Sequence, residues 1–117
     1  MKSIKILFSL FTTLLVSVSV LNAAGVVGDA VAGKALYATC AGCHGTNGEG
    51  IKAMNAPRIA GLEDYYLIRQ LKNFKAGIRG SDKRDTFGAT MKPMAQTLAD
   101  DQEVADVVAY ILTLSGK

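Results

Sequence analysis

Apolar residues recur at helical spacing over three stretches of the chain: residues 29 to about 40, 63 or 64 to 77, and 100 to 115. The period of two that marks a half-buried strand occurs nowhere. Asp29 and Asp100 are of a residue type that caps helix N-termini. The pattern therefore predicts an all-α fold with three main helices.

Each predicted helix places its apolar residues on one face. The inward positions of the second and third helices are Leu67, Ile68, Leu71, Phe74, Val104, Val107, Val108, Ile111 and Leu114. On the first helix, Gly33 would let another backbone approach, and the rings of Tyr37 and Tyr110 would fill the sides of the contact. We therefore expect the first and last helices to cross closely.

Two long irregular stretches, residues 44–63 and 77–97, separate the predicted helices. Loops of this length in so small a domain need something to pack against. They are a first indication of a large bound group.

The beginning of the chain is predicted to be a secretory signal peptide. Two lysines supply positive charge, residues 6–21 are mostly apolar, and small residues follow. The apolar run is shorter than the roughly 20 residues that a membrane-spanning helix needs, and serines and threonines interrupt it. We expect residues 1–23 to be removed, and residues 24–117 to form one periplasmic domain without stable membrane insertion.

The charge balance does not favour nucleic-acid binding. The chain carries 13 Lys and Arg against 10 Asp and Glu, and two of the lysines fall in the predicted signal peptide. The excess of basic residues lies between residues 52 and 92. This excess is equally compatible with an ordinary solvated surface and with a docking patch for an acidic partner.

The strongest motif is Cys40-Ala41-Gly42-Cys43-His44. Two thiols at this spacing can add to the two vinyl groups of a haem, and the adjacent imidazole then lies under the iron. Haem is attached to proteins with this motif outside the cytoplasm, which agrees with the predicted export. The motif predicts one covalently bound haem c, with Cys40 and Cys43 as thioethers and His44 as an iron ligand.

Three other interpretations of the motif are weaker. A disulfide between Cys40 and Cys43 would close a very small loop and stabilise little. A thioredoxin-like site expects a strand before the motif, whereas a helix is predicted there. A zinc site needs four ligands, and the chain has two cysteines and one histidine.

The second axial ligand of the iron is not a histidine of this chain, because His44 is the only one. The sixth position is therefore occupied by methionine or lysine, or it is open. Met54 is expected to pack in the loop on the histidine side. Met91 and Met94 lie in the stretch before the last helix, where one could bind iron and the other pack.

Pro57 is a further candidate of the haem site. It follows His44 by about thirteen residues, and its carbonyl could accept a hydrogen bond from the ring nitrogen of His44 that does not face the iron. Such contacts fix the tautomer and orientation of a metal-bound imidazole.

Over about residues 28–115 the chain resembles the class I cytochromes c, in particular the small soluble bacterial ones. The motifs that carry the resemblance are Gly33-Lys34-Ala35-Leu36-Tyr37-Ala38-Thr39-Cys40, Cys43-His44-Gly45, Asn47-Gly48-Glu49-Gly50, Ala56-Pro57-Arg58-Ile59-Ala60-Gly61, Tyr66-Leu67-Ile68-Arg69-Gln70-Leu71 and Phe74-Lys75-Ala76-Gly77. The last two are similar to the middle helix of one half of the two-haem periplasmic cytochromes. Because only one C-x-x-C-H is present, a single haem is expected.

The resemblance implies the class I cytochrome c fold, with three main helices and long loops wrapped around one covalently bound haem. It also implies His44 and Met91 as axial ligands, since the ligating methionine in that subgroup precedes the last helix cap by about nine residues. Met91 has this spacing from Asp100, and Met94 is the alternative.

The expected function is electron transfer by a monomeric periplasmic carrier that is not an enzyme. Its redox partners would be a membrane-bound respiratory donor, such as a quinol-oxidising complex, and a terminal oxidase or reductase. One alternative is a gas sensor or enzyme with an open sixth position. Another is a dedicated subunit held inside one oxidase or dehydrogenase.

Overall fold

The structure, a computed structural model, describes residues 26–117, so the predicted signal peptide lies outside the described residues. Within them the chain forms four α-helices: α1 (Ala30–His44), α2 (Asp64–Lys75), α3 (Thr86–Gln96) and α4 (Asp101–Ile111). A 3₁₀ turn spans Lys52–Met54. No strand forms in this part of the chain, where one isolated bridge joins Ile51 to Ala56. The predicted all-α class is confirmed.

Helix α1 begins as predicted and ends later than predicted. The Asp29 carboxylate accepts hydrogen bonds from the backbone N–H groups of Val31 and Ala32, at 2.8 and 3.4 Å. The helix continues past Cys40 to His44, because Gly42 keeps helical geometry and the first left-handed residue is Gly45, with φ of 85°. The whole cysteine motif is therefore helical.

Helix α3 lies inside a stretch that was predicted to be irregular, so that prediction was wrong. Its sequence includes Gly88 and Pro93, and a proline inside a helix costs about 3 kcal/mol relative to alanine. The helix forms because the Asp85 carboxylate accepts from the Gly88 N–H at 2.9 Å and because α3 packs along α2. Capping and tertiary packing outweigh the weak local propensity.

The first and last helices cross closely, as predicted. A Cβ atom built on Gly33 would lie 1.9 Å from the backbone oxygen of Asp106, so only glycine fits at this crossing. Beside it the rings of Tyr37 and Tyr110 are 5.3 Å apart and tilted by 56°. Such a tilted arrangement is favourable for two aromatic rings.

Helix α2 packs against both α3 and α4. The buried core consists of Tyr37, Leu67, Leu98, Val104, Val107, Val108 and Ile111. Three valines of α4 are fully buried, and full burial of such a side chain contributes about 1.5–3 kcal/mol. Helix α4 is therefore the centre of the core. No helix among residues 26–117 is long and apolar enough to cross a membrane.

Asp106 on α4 is buried, which is uncommon for a carboxylate. Its side chain is 7% exposed. Its Oδ1 atom accepts from the backbone N–H of Asp29 at 2.7 Å and from Nε2 of Gln102 at 2.8 Å. The carboxylate thus ties the N-terminus of α1 to α4, and it is satisfied by hydrogen bonds, as buried polar groups are.

Candidate functional site

The two cysteines of the motif lie on the last turn of α1. Residues three apart on a helix share a face, so Cys40 and Cys43 present their sulfur atoms on one side. Both are free thiols and half-buried. Burial raises the pKa of the Cys40 thiol. The arrangement offers two neighbouring thiols to one large ligand.

His44 is the last residue of α1, and its ring is held in one orientation. The residue is 6% exposed, and Nδ1 lies 2.8 Å from the carbonyl oxygen of Pro57. Because a carbonyl oxygen can only accept, Nδ1 carries the proton and Nε2 keeps a lone pair for a metal. The hydrogen bond that the sequence suggested for Pro57 is present.

Two loops hold the Pro57 carbonyl in place. The N–H of Gly50 donates to the carbonyl oxygen of His44 at 2.7 Å. The N–H groups of Ile59 and Ala60 donate to the carbonyl oxygen of Gly48, at 2.9 and 3.0 Å. The loop after α1 and the loop after Pro57 are therefore joined directly beside His44.

Tyr37, on the same helix as the motif, stabilises the end of α1 by a hydrogen bond. Its buried hydroxyl donates to the carbonyl oxygen of Gly45 at 2.7 Å. Burial raises the pKa of Tyr37 to about 12, and the nearby Cys40, Glu49 and Tyr110 add to the effect. The folded protein therefore keeps this phenol neutral well above the pH at which an exposed tyrosine ionises.

We predict that this phenol makes stability fall at high pH. In the unfolded chain the pKa of Tyr37 is near 10.0, the ordinary value of an exposed tyrosine, and in the folded protein it is about 12. The stabilisation is complete below pH 10 and is lost as pH rises through that window, a change of about 2–3 kcal/mol. Urea unfolding of the wild type and of Tyr37→Phe, at about pH 9 and pH 11.5, measures it. Tyr37→Phe should lose less stability between the two pH values, and equal losses would contradict the prediction.

A cavity of about 450 Å³ opens beside the Pro57 loop. Its lining residues are Glu49, Gly50, Lys52, Asn55, Ala56, Pro57, Arg58 and Phe87. Phe87 belongs to the first turn of α3 and is 62% exposed. The cavity shows that the beginning of α3 faces the loop that contacts His44.

The candidate methionines lie on α3, not in an irregular loop. Met91 is half-buried, whereas Met94, one turn later and beyond Pro93, is 41% exposed. Met54, which was expected to pack, is 54% exposed on the 3₁₀ turn. The structure thus brings Cys40, Cys43, His44 and Pro57 together and places Met91 and Met94 on a separate helix that packs against α2.

The donor set fits a covalently attached haem. Two free thiols on one helical face are followed by an imidazole whose Nε2 is available to iron. Residues 26–117 contain no group of three or more His, Cys, Asp or Glu side chains that could hold a bare metal ion. The two thiols could anchor the edge of a haem, and the imidazole beside them could bind its iron.

Two residues near the site were not recognised as such from the sequence. Phe87 belongs to no motif, and its position depends on α3. Arg58 was noted only as part of a motif, yet its guanidinium contacts the carbonyl oxygens of Ser115 and Gly116. Partners so distant in the chain leave no local signal.

Comparison with known proteins gives the same picture. The cytochrome c family model matches residues 30–115. Cytochrome c-554(548) of Halomonas halodenitrificans is 39% identical over 83 residues, which are 71% of this chain and 93% of that protein. Cytochrome c4 of Azotobacter vinelandii is 35% identical over 100 residues, 84% of this chain and 47% of that protein.

A third relative, the thiosulfate dehydrogenase electron acceptor of Thiomonas intermedia, is 40% identical over 81 residues, 68% of this chain and 34% of that protein. The chain therefore spans about half the length of the cytochrome c4 that it matches, and nearly all of the shorter cytochrome c-554(548).

Proposed function

Because this chain belongs to the cytochrome c family and binds haem c covalently, we propose that it is a single-haem electron carrier of the periplasm, exported by residues 1–23. Haem supplies reversible one-electron chemistry, and the protein supplies ligation, orientation and shielding from water. The observation that carries the proposal is the imidazole of His44, buried and fixed through Nδ1, directly beside two free thiols.

Each residue of the motif has a separate part in this function. Cys40 and Cys43 form the two thioether bonds, which keep the group attached in both oxidation states. His44 binds iron through Nε2, while the carbonyl of Pro57 fixes the tautomer and raises the basicity of the ligand. A fixed ligand shell needs little rearrangement when one electron is gained or lost.

Met91 is the proposed sixth ligand. It precedes the cap of the last helix by about nine residues, the spacing of the family, and it is less exposed than Met94. Thioether ligation raises the reduction potential of a haem relative to a second histidine. A carrier with this ligation would accept electrons readily from a respiratory donor.

Separate Met91→Ala and Met94→Ala variants test the assignment. We expect Met91→Ala to lose the far-red sulfur-to-iron band of the oxidised protein, to lower the potential and to bind cyanide or carbon monoxide. Met94→Ala, the matched control one turn away, should keep the band. The opposite result would exchange the two methionines. If both variants kept the band, sulfur would still bind iron, and neither methionine would be the sole ligand. A wild type without the band would show that the ligand is not a methionine, and the alternative of an open gas-binding site would be favoured.

We propose a membrane-bound donor, such as a quinol-oxidising complex, and a terminal oxidase or reductase as acceptor. Several basic residues of the 52–92 region already have internal partners, including Lys72, which pairs with Asp101 at 2.8 Å. Lys52, by contrast, lines the cavity at the Pro57 loop. A positive side chain there could steer an acidic partner towards the haem site.

A second candidate role is that of dedicated acceptor for one dehydrogenase. The relative named thiosulfate dehydrogenase electron acceptor favours it. Both roles are electron transfer without catalysis by the chain itself, and the only histidine is the proposed iron ligand. Co-purification of the tagged protein with a dehydrogenase would support the dedicated role, and recovery as a free monomer would support the carrier.

A further inference from the structure

The guanidinium of Arg58 fastens the segment after α4 to the loops beside His44. Its Nε donates to the carbonyl oxygen of Ala60 at 3.0 Å, Nη2 to that of Ser115 at 3.1 Å, and Nη1 to that of Gly116 at 3.3 Å. On the same side, Nδ2 of Asn47 donates to the carbonyl oxygen of Lys117 at 2.7 Å. Residues 115–117 thus lie across both loops.

The residues that make these contacts are close in sequence to those that hydrogen-bond to His44. Arg58 is the residue after Pro57, whose carbonyl oxygen lies 2.8 Å from Nδ1 of His44. Asn47 belongs to the loop in which the N–H of Gly50 donates to the carbonyl oxygen of His44. The anchored loops are therefore the two that define the orientation of the imidazole.

The fit between Arg58 and Gly116 is tight from both sides. The three carbonyl oxygens that Arg58 binds lie in different directions. Only the planar guanidinium of arginine has donors that reach all three, and the ammonium group of lysine does not. Gly116 has φ of 68°, and a Cβ atom there would lie 2.6 Å from Cζ and Nη2 of Arg58. A larger residue at position 116 would displace the guanidinium, even though Arg58 itself is unchanged.

We propose that Arg58 is a positioning residue that holds the Pro57 carbonyl against His44 and thereby sets the reduction potential. The inference rests on the proposed ligation of iron by His44. A hydrogen bond from Nδ1 to a carbonyl makes the imidazole a stronger electron donor, which favours oxidised iron. Loosening that bond should raise the potential. Removing the positive charge of Arg58 should instead lower the potential, because a nearby positive charge disfavours the oxidised form of the haem.

Loosened anchoring and loss of charge shift the reduction potential in opposite directions, so variants of the purified haem-containing protein can distinguish them. Gly116→Ala and Arg58→Lys keep the positive charge and weaken the anchoring, so both should raise the potential. We expect a change of about threefold in the reduction equilibrium constant, or about 28 mV at 59 mV per tenfold. The His44 Nδ1–H resonance should shift in both variants. Arg69→Lys is the control, because that exposed guanidinium lies over the rings of Tyr65 and Tyr66 on α2.

The alternatives give different results. If Arg58→Lys and Gly116→Ala left the potential unchanged while Arg58→Gln lowered it, Arg58 would act through its charge alone and the positioning role would be wrong. A lower unfolding midpoint with an unchanged potential and Nδ1–H resonance would likewise overturn it, leaving only a structural role. A wild type without a histidine–iron signature would overturn the proposed function, and this inference with it.

Discussion

Replacing Gly33 by alanine should lower the free energy of unfolding by about 3 kcal/mol, the upper part of the range for an overpacked core. The added Cβ would lie 1.9 Å from the carbonyl oxygen of Asp106 and 2.5 Å from its carbonyl carbon. Both are backbone atoms, so no side-chain rotation relieves the overlap. Helices α1 and α4 must separate, which also weakens the hydrogen bond between Asp29 and Asp106.

Gly42→Ala is the matched control for Gly33→Ala. Gly42 lies on the same helix, and no atom lies within 4 Å of a Cβ built there. Alanine is favoured over glycine inside a helix by about 1 kcal/mol, so this variant should be as stable as the wild type or more so. Denaturant unfolding followed by circular dichroism measures both variants. Equal stabilities would show that the crossing of α1 and α4 is looser than the structure has it.

Removing the motif cysteines should have the largest effect on the haem. Each thioether anchors one side of the ring, so Cys40→Ala or Cys43→Ala should lose most of the haem-containing protein. The double variant should hold no covalent haem, because no other cysteine remains in the chain. Haem that stays with the polypeptide on a denaturing gel, measured by its peroxidase stain, reports attachment.

Gly42→Ala again serves as the control for attachment, since it changes the motif without removing a sulfur. It should keep haem at the wild-type level. Covalent haem in the double variant would rule out the thioether assignment. A well-dispersed NMR spectrum of the haem-free double variant would show that the helices do not depend on haem for their packing.

The helices that the sequence predicted correctly are those whose local signals agree with their packing. Helices α2 and α4 have apolar residues at helical spacing, and the carboxylate of Asp100 caps α4 by accepting from the N–H of Glu103 at 2.9 Å. The crossing of α1 and α4 was predictable because Gly33 offers room that no other residue type would leave. In these elements local preference and tertiary packing point the same way.

Helix α3 and the buried Asp106 were not predictable in this way. Pro93 and Gly88 lower the helical propensity of α3, and its contacts with α2 depend on the whole fold. Asp106 is an acid on a helix with other acids, and its partner Asp29 is 77 residues away. In both cases the deciding interaction is distant in sequence.

The residues of the site likewise fall into those that local sequence reveals and those that depend on distant contacts. The thiols and imidazole of the motif are adjacent in the chain, so their chemistry is local and the sequence reveals it. Pro57 is only thirteen residues from His44, and its contact was foreseen. The choice between Met91 and Met94 depends on where α3 lies relative to α1, which no short-range pattern encodes.

The distance in sequence between α1 and α4 has a consequence for the order of assembly. The Asp29–Asp106 contact closes a segment of 77 residues, and closing a flexible loop of that length costs roughly 4 kcal/mol in chain entropy. Helix α4 is also made late, whereas Cys40 and Cys43 emerge well before it. We therefore expect α1 to stay accessible to the haem attachment machinery until residues 101–111 follow, and only then to be enclosed by its partner helix.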